Sequence, residues 1–190
     1  MSEILEIRWH GRGGQGAVTA AKLVAEAALG QDMYFQAFPE YGPERMGAPI
    51  QAFTRLSDEP ISIHSNVESP SIVVVLDPTL LAAVDVTEGT PKNGKIIVNT
   101  SDDPKTVRKA LGITGRKIYT VNATQIALET LGKPIPNTPM VGALLKASGK
   151  LSLEQVLAHL RTSFGKKFSQ EIIDGNVKAV ERAYSEVISE

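Results

Sequence analysis

The sequence predicts an α/β protein: a three-layer α/β/α sandwich with a mixed sheet and a helical C-terminal third. Three observations lead there. Strand-type runs alternate with helix-type stripes from Ile4 to Leu131. Ser71–Leu76 (SIVVVL) and Lys95–Asn99 (KIIVN) are nearly continuous β-branched runs, as expected of strands buried on both faces. From Met140 onward only helical stripes remain. The chain of 190 residues reads as a single domain, with residues 1–133 as the α/β core and 134–190 as helices packed on it. A chain of this size buries about 70% of its unfolded surface, so a core without covalent staples is expected.

Each element has a local reason. Ile4–His10 (ILEIRWH) is a strand that ends at a glycine cluster. Ala17–Leu29 (AVTAAKLVAEAAL) is rich in helix formers, carries an apolar stripe at Val18, Ala21, Val24, Ala25 and Ala28, and stops at Gly30. Met33–Phe38 and Ile50–Leu56 are strands, and Ile61–His64 is expected to pair with the second across the turn-like SDEP. Leu80–Val84 is a short helix after Asp77-Pro78. Asp103-Pro104 supplies an N-cap and first turn for Thr106–Leu111. Lys117–Val121 is a strand, and Asn122–Leu131 a helix stopped by Gly132. Pro134, Pro136 and Pro139 mark a stiff linker before helices at Met140–Ala147, Ser152–Ser163 and Ser169–Ser189. The sheet is therefore expected to hold six strands, near Ile4, Phe35, Ala52, Val74, Ile97 and Tyr119.

The composition excludes several functions. With no cysteine, the chain forms no disulfide, catalytic thiol, Cys-ligated zinc site or Cys-held iron–sulfur cluster. Twenty Lys and Arg against 21 Asp and Glu give a net charge of −1, without the basic excess of a nucleic-acid binder. The longest apolar run, SIVVVLDPTLLAAV, is about half a membrane span and is broken by Asp77-Pro78. The first residues lack the basic-then-apolar pattern of a signal peptide, so a cytoplasmic location is expected.

The main chemical signal is Gly11-Arg12-Gly13-Gly14-Gln15-Gly16, between a strand and a helix. Glycines let backbone approach a ligand, and the first turn of the helix offers unpaired N–H groups and a positive dipole end. Together they suit a diphosphate. Gly11, Gly13 and Gly16 fit the G-x-G-x-x-G spacing, which also occurs in ligand-free turns. Glu40 is the nearest acidic residue to where a ribose partner belongs, but it precedes Tyr41-Gly42-Pro43 rather than a helix, which argues against independent NAD binding. No Gly-Lys-Ser/Thr closes a P-loop. The proline-stiffened segment Phe38–Pro49 presents Tyr41, Glu44 and Arg45 as a site wall, a subunit contact or a well-packed turn. His10 abuts the glycine loop and either faces a ligand or is a satisfied structural histidine; His64 and His159 fit the structural role. Arg108-Lys109, Arg116-Lys117 and Lys166-Lys167 read as solvated surface, or for one of them as a contact for the phosphate end of a ligand.

Taken together, EIRWHGRGGQGAVTAAKLVAEAAL, FPEYGPERMGAPIQAFTRLSDEPI and VVVLDPTLL resemble the gamma subunit of 2-oxoacid:ferredoxin oxidoreductases, the pyruvate (pyruvate synthase) type in particular. The resemblance runs from about Glu6 to the helix near Leu131. It implies a subunit of an enzyme that oxidatively decarboxylates a 2-oxoacid to acyl-CoA, CO2 and two low-potential electrons. Thiamine diphosphate with Mg2+, and the 4Fe-4S clusters, would lie on partner alpha, beta and ferredoxin-like delta subunits. Ferredoxin, or NAD through a further subunit, would take the electrons. The resemblance places coenzyme A against Arg12, Gly13, Gly14, Gln15 and Gly16. Two alternatives stay open: a purely structural assembly subunit, and a free-standing nucleotide-binding oxidoreductase.

Overall fold

The computed structural model describes residues 4–40 and 46–190. In chain order the elements are β1 (Leu5–Arg12), α1 (Ala17–Leu29), β2 (Tyr34–Pro39), β3 (Pro49–Ser57), β4 (Ile72–Val75), α2 (Leu80–Ala83) and β5 (Lys95–Asn99). They continue with α3 (Pro104–Leu111), β6 (Lys117–Val121), α4 (Ala123–Leu131), α5 (Asn137–Ser148), α6 (Leu153–Gly165), α7 (Gln170–Glu186) and β7 (Ile188–Ser189). The strands form one sheet in the order β2-β3-β1-β4-β5-β6-β7. Strands β1, β4, β5 and β6 run parallel, while β2, β3 and β7 join antiparallel, so the sheet is mixed.

The pleat divides the apolar residues between two cores. Ile7, Trp9, Ile72, Val74 and Ile97 face α1, α5, α6 and α7. Val73, Val75, Ile96, Val98 and Ile118 face Leu80 of α2, Val86 and Val107 of α3. Alternate residues of β4 and β5 thus enter different cores, which accounts for their unbroken β-branched runs. In α1 the side chains turned inward include Ala17, Ala20, Ala21, Ala25, Ala27 and Ala28, small enough to bring the helix close to the sheet. There the fully buried Trp9 donates its indole N–H to Thr54 Oγ1 (3.1 Å), and Thr54 donates onward to the Ala21 carbonyl (3.1 Å). This relay satisfies every polar atom that the large ring brings inside.

Helix ends follow the sequence. Asp103 caps α3 by accepting from the Thr106 amide (3.0 Å), with Pro104 in the first turn. Asn122 caps α4, and Gly132 closes it in the left-handed region at φ 69°.

Four expectations are corrected. Ile61–His64 is not a strand: β3 already has β1 and β2 on its two sides, and the Ile61, Ile63 and Asn66 carbonyls accept instead from the side chains of Gln36 and Arg55. Pro139 is inside the first turn of α5, where its missing N–H deprives no intrahelical bond. The last helix ends at Glu186, and residues 188–189 form a seventh strand opposite Thr120 and Tyr119 of β6. Arg108 and Arg116 are not merely solvated. Arg108 binds the carbonyls of Gly115 (2.7 Å) and Arg116 (2.9 Å) and pairs with Glu190, while Arg116 binds the Thr90 carbonyl (2.7 Å).

The tightest helix contact is the crossing of α5 on α7. A Cβ on Gly142 would come within 2.2 Å of the Val180 carbonyl oxygen, so a methyl there forces the helices apart. Gly142→Ala is expected to destabilise the subunit by about 1–3 kcal/mol, read as a lower denaturant midpoint with an unchanged slope.

Candidate functional site

Strand β1 runs out at Arg12, and the chain turns through Gly13, Gly14, Gln15 and Gly16 into α1. Gly14 (φ 96°) and Gly16 (φ 82°) hold the turn in a backbone region that other L-residues avoid. At Gly16 space is a second constraint, because a Cβ would lie 2.5 Å from the Asn137 side-chain nitrogen at the start of α5. The loop is tied on one side to the turn after Met46. Gly13 N–H donates to the Ala48 carbonyl (3.0 Å), and Gly47 N–H returns a bond to the Gly13 carbonyl (3.2 Å).

On its other side the loop is tied to Asp77, in the turn between β4 and α2. Gln15 Oε1 accepts from the Arg12 amide (2.8 Å), and Gln15 Nε2 donates to Asp77 Oδ2 (2.8 Å). Arg12 Nε lies 3.2 Å from the same Asp77 oxygen. Its guanidinium also donates to Thr79 Oγ1 (2.8 Å) and the Gly47 carbonyl (3.1 Å). The other Asp77 oxygen accepts from the amide (2.9 Å) and hydroxyl (2.6 Å) of Thr79. Burial opposes the charged form of Asp77, but the bonds from Thr79 and Gln15 and the charge of Arg12 outweigh it and hold its carboxyl below the usual range.

This network fills a particular place. The connections from β1 and β4 leave toward opposite edges of the sheet, which makes the carboxyl end of this pair a topological switch point. Open α/β sheets bind ligands in the crevice there. Here Arg12, Gln15, Asp77 and Thr79 occupy it, which argues against a dinucleotide site. The open space lies on the outer side of the loop, a groove of about 540 Å3 lined by Gly13, Gly14, Ala17, Thr19, Met46 and Ile50. The amides of Gly14, Ala17, Val18 and Thr19 make no hydrogen bond to the described residues. The groove therefore combines unpaired N–H donors at a helix N-terminus with an apolar wall, a combination suited to an anionic group attached to a less polar arm.

The expected site residues are not all brought together. Gly13, Gly14 and Gly16 line the groove. Arg12 and Gln15 face the crevice and shape the loop from behind. His10 is 2% exposed and lies on the other face of β1, accepting at Nε2 from Arg8 Nε (3.0 Å). It forms no part of the groove wall. Burial, then the adjacent Arg8 charge, lower its pKa to about 4. Tyr41, Glu44 and Arg45 lie outside the described residues. Asp77 and Thr79 carry the site without having been singled out from the sequence; the Asp-Pro-Thr turn directly after a strand was the available signal. Asn137 carried no local signal. Among the described residues no group of three or more His, Asp or Glu is placed to hold a metal ion, and no helix is long and apolar enough to cross a membrane.

Comparison with known proteins decides the family. Residues 6–186 match the model of pyruvate ferredoxin/flavodoxin oxidoreductase. The chain belongs to that family. It is 52% identical to the pyruvate synthase subunit PorC of Thermotoga maritima over 96% of this chain and 94% of that protein. It is 49% identical to the pyruvate/ketoisovalerate oxidoreductases common subunit gamma of Pyrococcus abyssi over 95% and 96%. The chain is thus a gamma subunit of the pyruvate/2-oxoacid ferredoxin oxidoreductases, and the first resemblance holds over the full length. A crystal structure of subunit PORC from T. maritima superposes with a TM-score of 0.88 at 46% identity, covering 99% of both chains, and confirms the α/β fold. A 2-oxoglutarate:ferredoxin oxidoreductase from Magnetococcus marinus, solved with 2-oxoglutarate, coenzyme A and succinyl-CoA bound, shares the fold at 18% identity. Its TM-score is 0.78, over 97% of this chain and 31% of that one.

A buried neutral histidine makes stability depend on pH. Because the folded pKa of His10 lies below its unfolded value of 6.5, the unfolded state binds the proton first, and stability is lost as pH falls from 6.5 through about 4. The loss is up to roughly 3 kcal/mol, so His10→Gln, which keeps an acceptor for Arg8, should flatten denaturation midpoints across that range.

Proposed function

We propose that this gamma subunit holds coenzyme A for an assembled 2-oxoacid oxidoreductase. The diphosphate lies on the free amides of the glycine loop and α1, and the less polar arm lies along Ala17, Met46 and Ile50. The observation carrying this reading is the set of amides without a partner among the described residues beside an open groove, while the neighbouring crevice is closed by protein. A neighbour of the same fold is an enzyme that binds coenzyme A.

The net reaction is RCOCOO− + CoASH → RCO-SCoA + CO2 + 2e− + H+, where RCOCOO− is the 2-oxoacid anion. Thiamine diphosphate with Mg2+, on the alpha and beta subunits, would supply the decarboxylation chemistry, and 4Fe-4S clusters on the beta and delta subunits would supply the electron path to ferredoxin, or to NAD through a further subunit. Pyruvate is the proposed substrate, because it is named for the similar subunits of both T. maritima and P. abyssi, the latter with ketoisovalerate beside it. The work of this chain is binding and orientation. Its amides meet the diphosphate without reorganising, and the helix dipole adds to their attraction. Arg12 is held by Asp77 and Thr79, so it supports the loop from behind rather than donating to the diphosphate. A chain without disulfides suits a reducing cytoplasm.

The runner-up is a purely structural subunit. It draws on the fact that the side chains of Arg12 and Gln15 are both satisfied within the chain. Thr19→Glu separates the two. Thr19 is exposed in the first turn of α1, where an acid stabilises the helix but repels a bound diphosphate. In the assembled enzyme the apparent KM for coenzyme A should rise about tenfold, with subunit Tm unchanged or higher. An unchanged KM would leave the structural reading standing.

The isolated chain is expected to be colourless, free of iron and inactive, with turnover appearing on addition of the other subunits. Iron analysis and a reconstitution assay check this.

A further inference from the structure

We propose that Asp77 is a positioning residue for coenzyme A; the inference rests on the reading of the groove given above. Asp77 does not face the groove. It stands behind the loop, and the two oxygens divide its work. One holds its own turn through Thr79, and the other receives both Gln15 and Arg12.

The path from this carboxylate to the ligand amides is short. Gly14 has no side chain, and its amide bonds to no described residue, so its orientation is fixed by what holds residues 12, 13 and 15. Gln15 is held by Asp77, and through its Oε1 it holds the Arg12 amide. Arg12 is held by Asp77 and Thr79, and it grips the Gly47 carbonyl. Gly47 and Ala48 in turn clasp Gly13. Beside the backbone bond from the Gln15 amide to the Arg12 carbonyl (3.0 Å), the side-chain supports of the Gly14 peptide among the described residues run through Asp77 or through the turn that Arg12 anchors.

The negative charge has a second effect. It keeps the Arg12 guanidinium in the crevice, away from the groove, so the anion meets aligned amides instead of a mobile cation. Asn at position 77 has the same size but brings an NH2 where an acceptor is needed. Turned one way it faces the donors of Gln15 and Arg12; turned the other, those of Thr79.

The test uses the assembled oxidoreductase and measures KM for coenzyme A, KM for the 2-oxoacid, and kcat. Asp77→Asn is expected to raise KM for coenzyme A roughly tenfold or more, with kcat at saturating coenzyme A and KM for the 2-oxoacid within about twofold. Gln15→Met cuts the same tie from the other end and should raise the same KM. In the double variant the effect should not exceed that of the larger single change. Equal losses in all three parameters, an unchanged KM for coenzyme A in both single variants, or additive single effects would overturn the proposal. Thr19→Glu keeps the two readings apart. If it raises KM for coenzyme A and the Asp77 and Gln15 variants do not, positioning fails and the groove stands. If none of the three does, the groove assignment fails as well.

Discussion

A single carboxylate closes the place where the sheet would otherwise open. At the carboxyl end of β1 and β4 the chain leaves in two directions, and Asp77 bridges the gap with bonds to Gln15, Arg12 and Thr79. Two donors from the glycine loop converge on one oxygen there and two from Thr79 on the other, an arrangement that favours the ionised carboxyl. A charge with 13% of its side-chain surface exposed would be costly alone; here a cation and three donors surround it. The loop geometry, the outward direction of its free amides and the loss of the usual crevice all follow from that cluster.

The close seat of α1 is the second constraint. Helix and strand approach closely behind the loop: a Cβ on Gly11 would come within 3.3 Å of the Ala17 Cβ. The alanines of α1 continue that approach along the sheet. Trp9 would be difficult to bury under such a helix without the Thr54 relay to the Ala21 carbonyl. The packing that stabilises the core thereby also aims the N-terminus of the helix at the groove.

Much of this was legible in the sequence because its causes are local. The alanine-rich composition marks α1, β-branched runs mark β4 and β5, and Asp103-Pro104 and Gly132 mark helix ends. Glycines 14 and 16 mark the loop, since their backbone angles demand them. What escaped depends on partners far along the chain. Strand β7 has no intrinsic stop signal before it; α7 ends because Ile188 and Ser189 find the edge of β6. Ile61–His64 has the composition of a strand but meets a β3 with both sides taken. Arg12 has the look of a ligand donor, and its actual partner is 65 positions away, at Asp77.

Strand β7 also has a consequence in time. Residues 188–190 cover the outer side of β6 and deliver Glu190 to Arg108. During synthesis β6 emerges about 70 residues earlier and waits with its hydrogen-bonding groups open. Until the segment holding residues 188–190 is made, that edge can accept a strand from any neighbouring chain. Once it docks, the exposed rim is only two residues long, too short to template further pairing. Residues 188–190 act as a seal on the edge of β6, and a chain lacking them would be the form most exposed to misassembly.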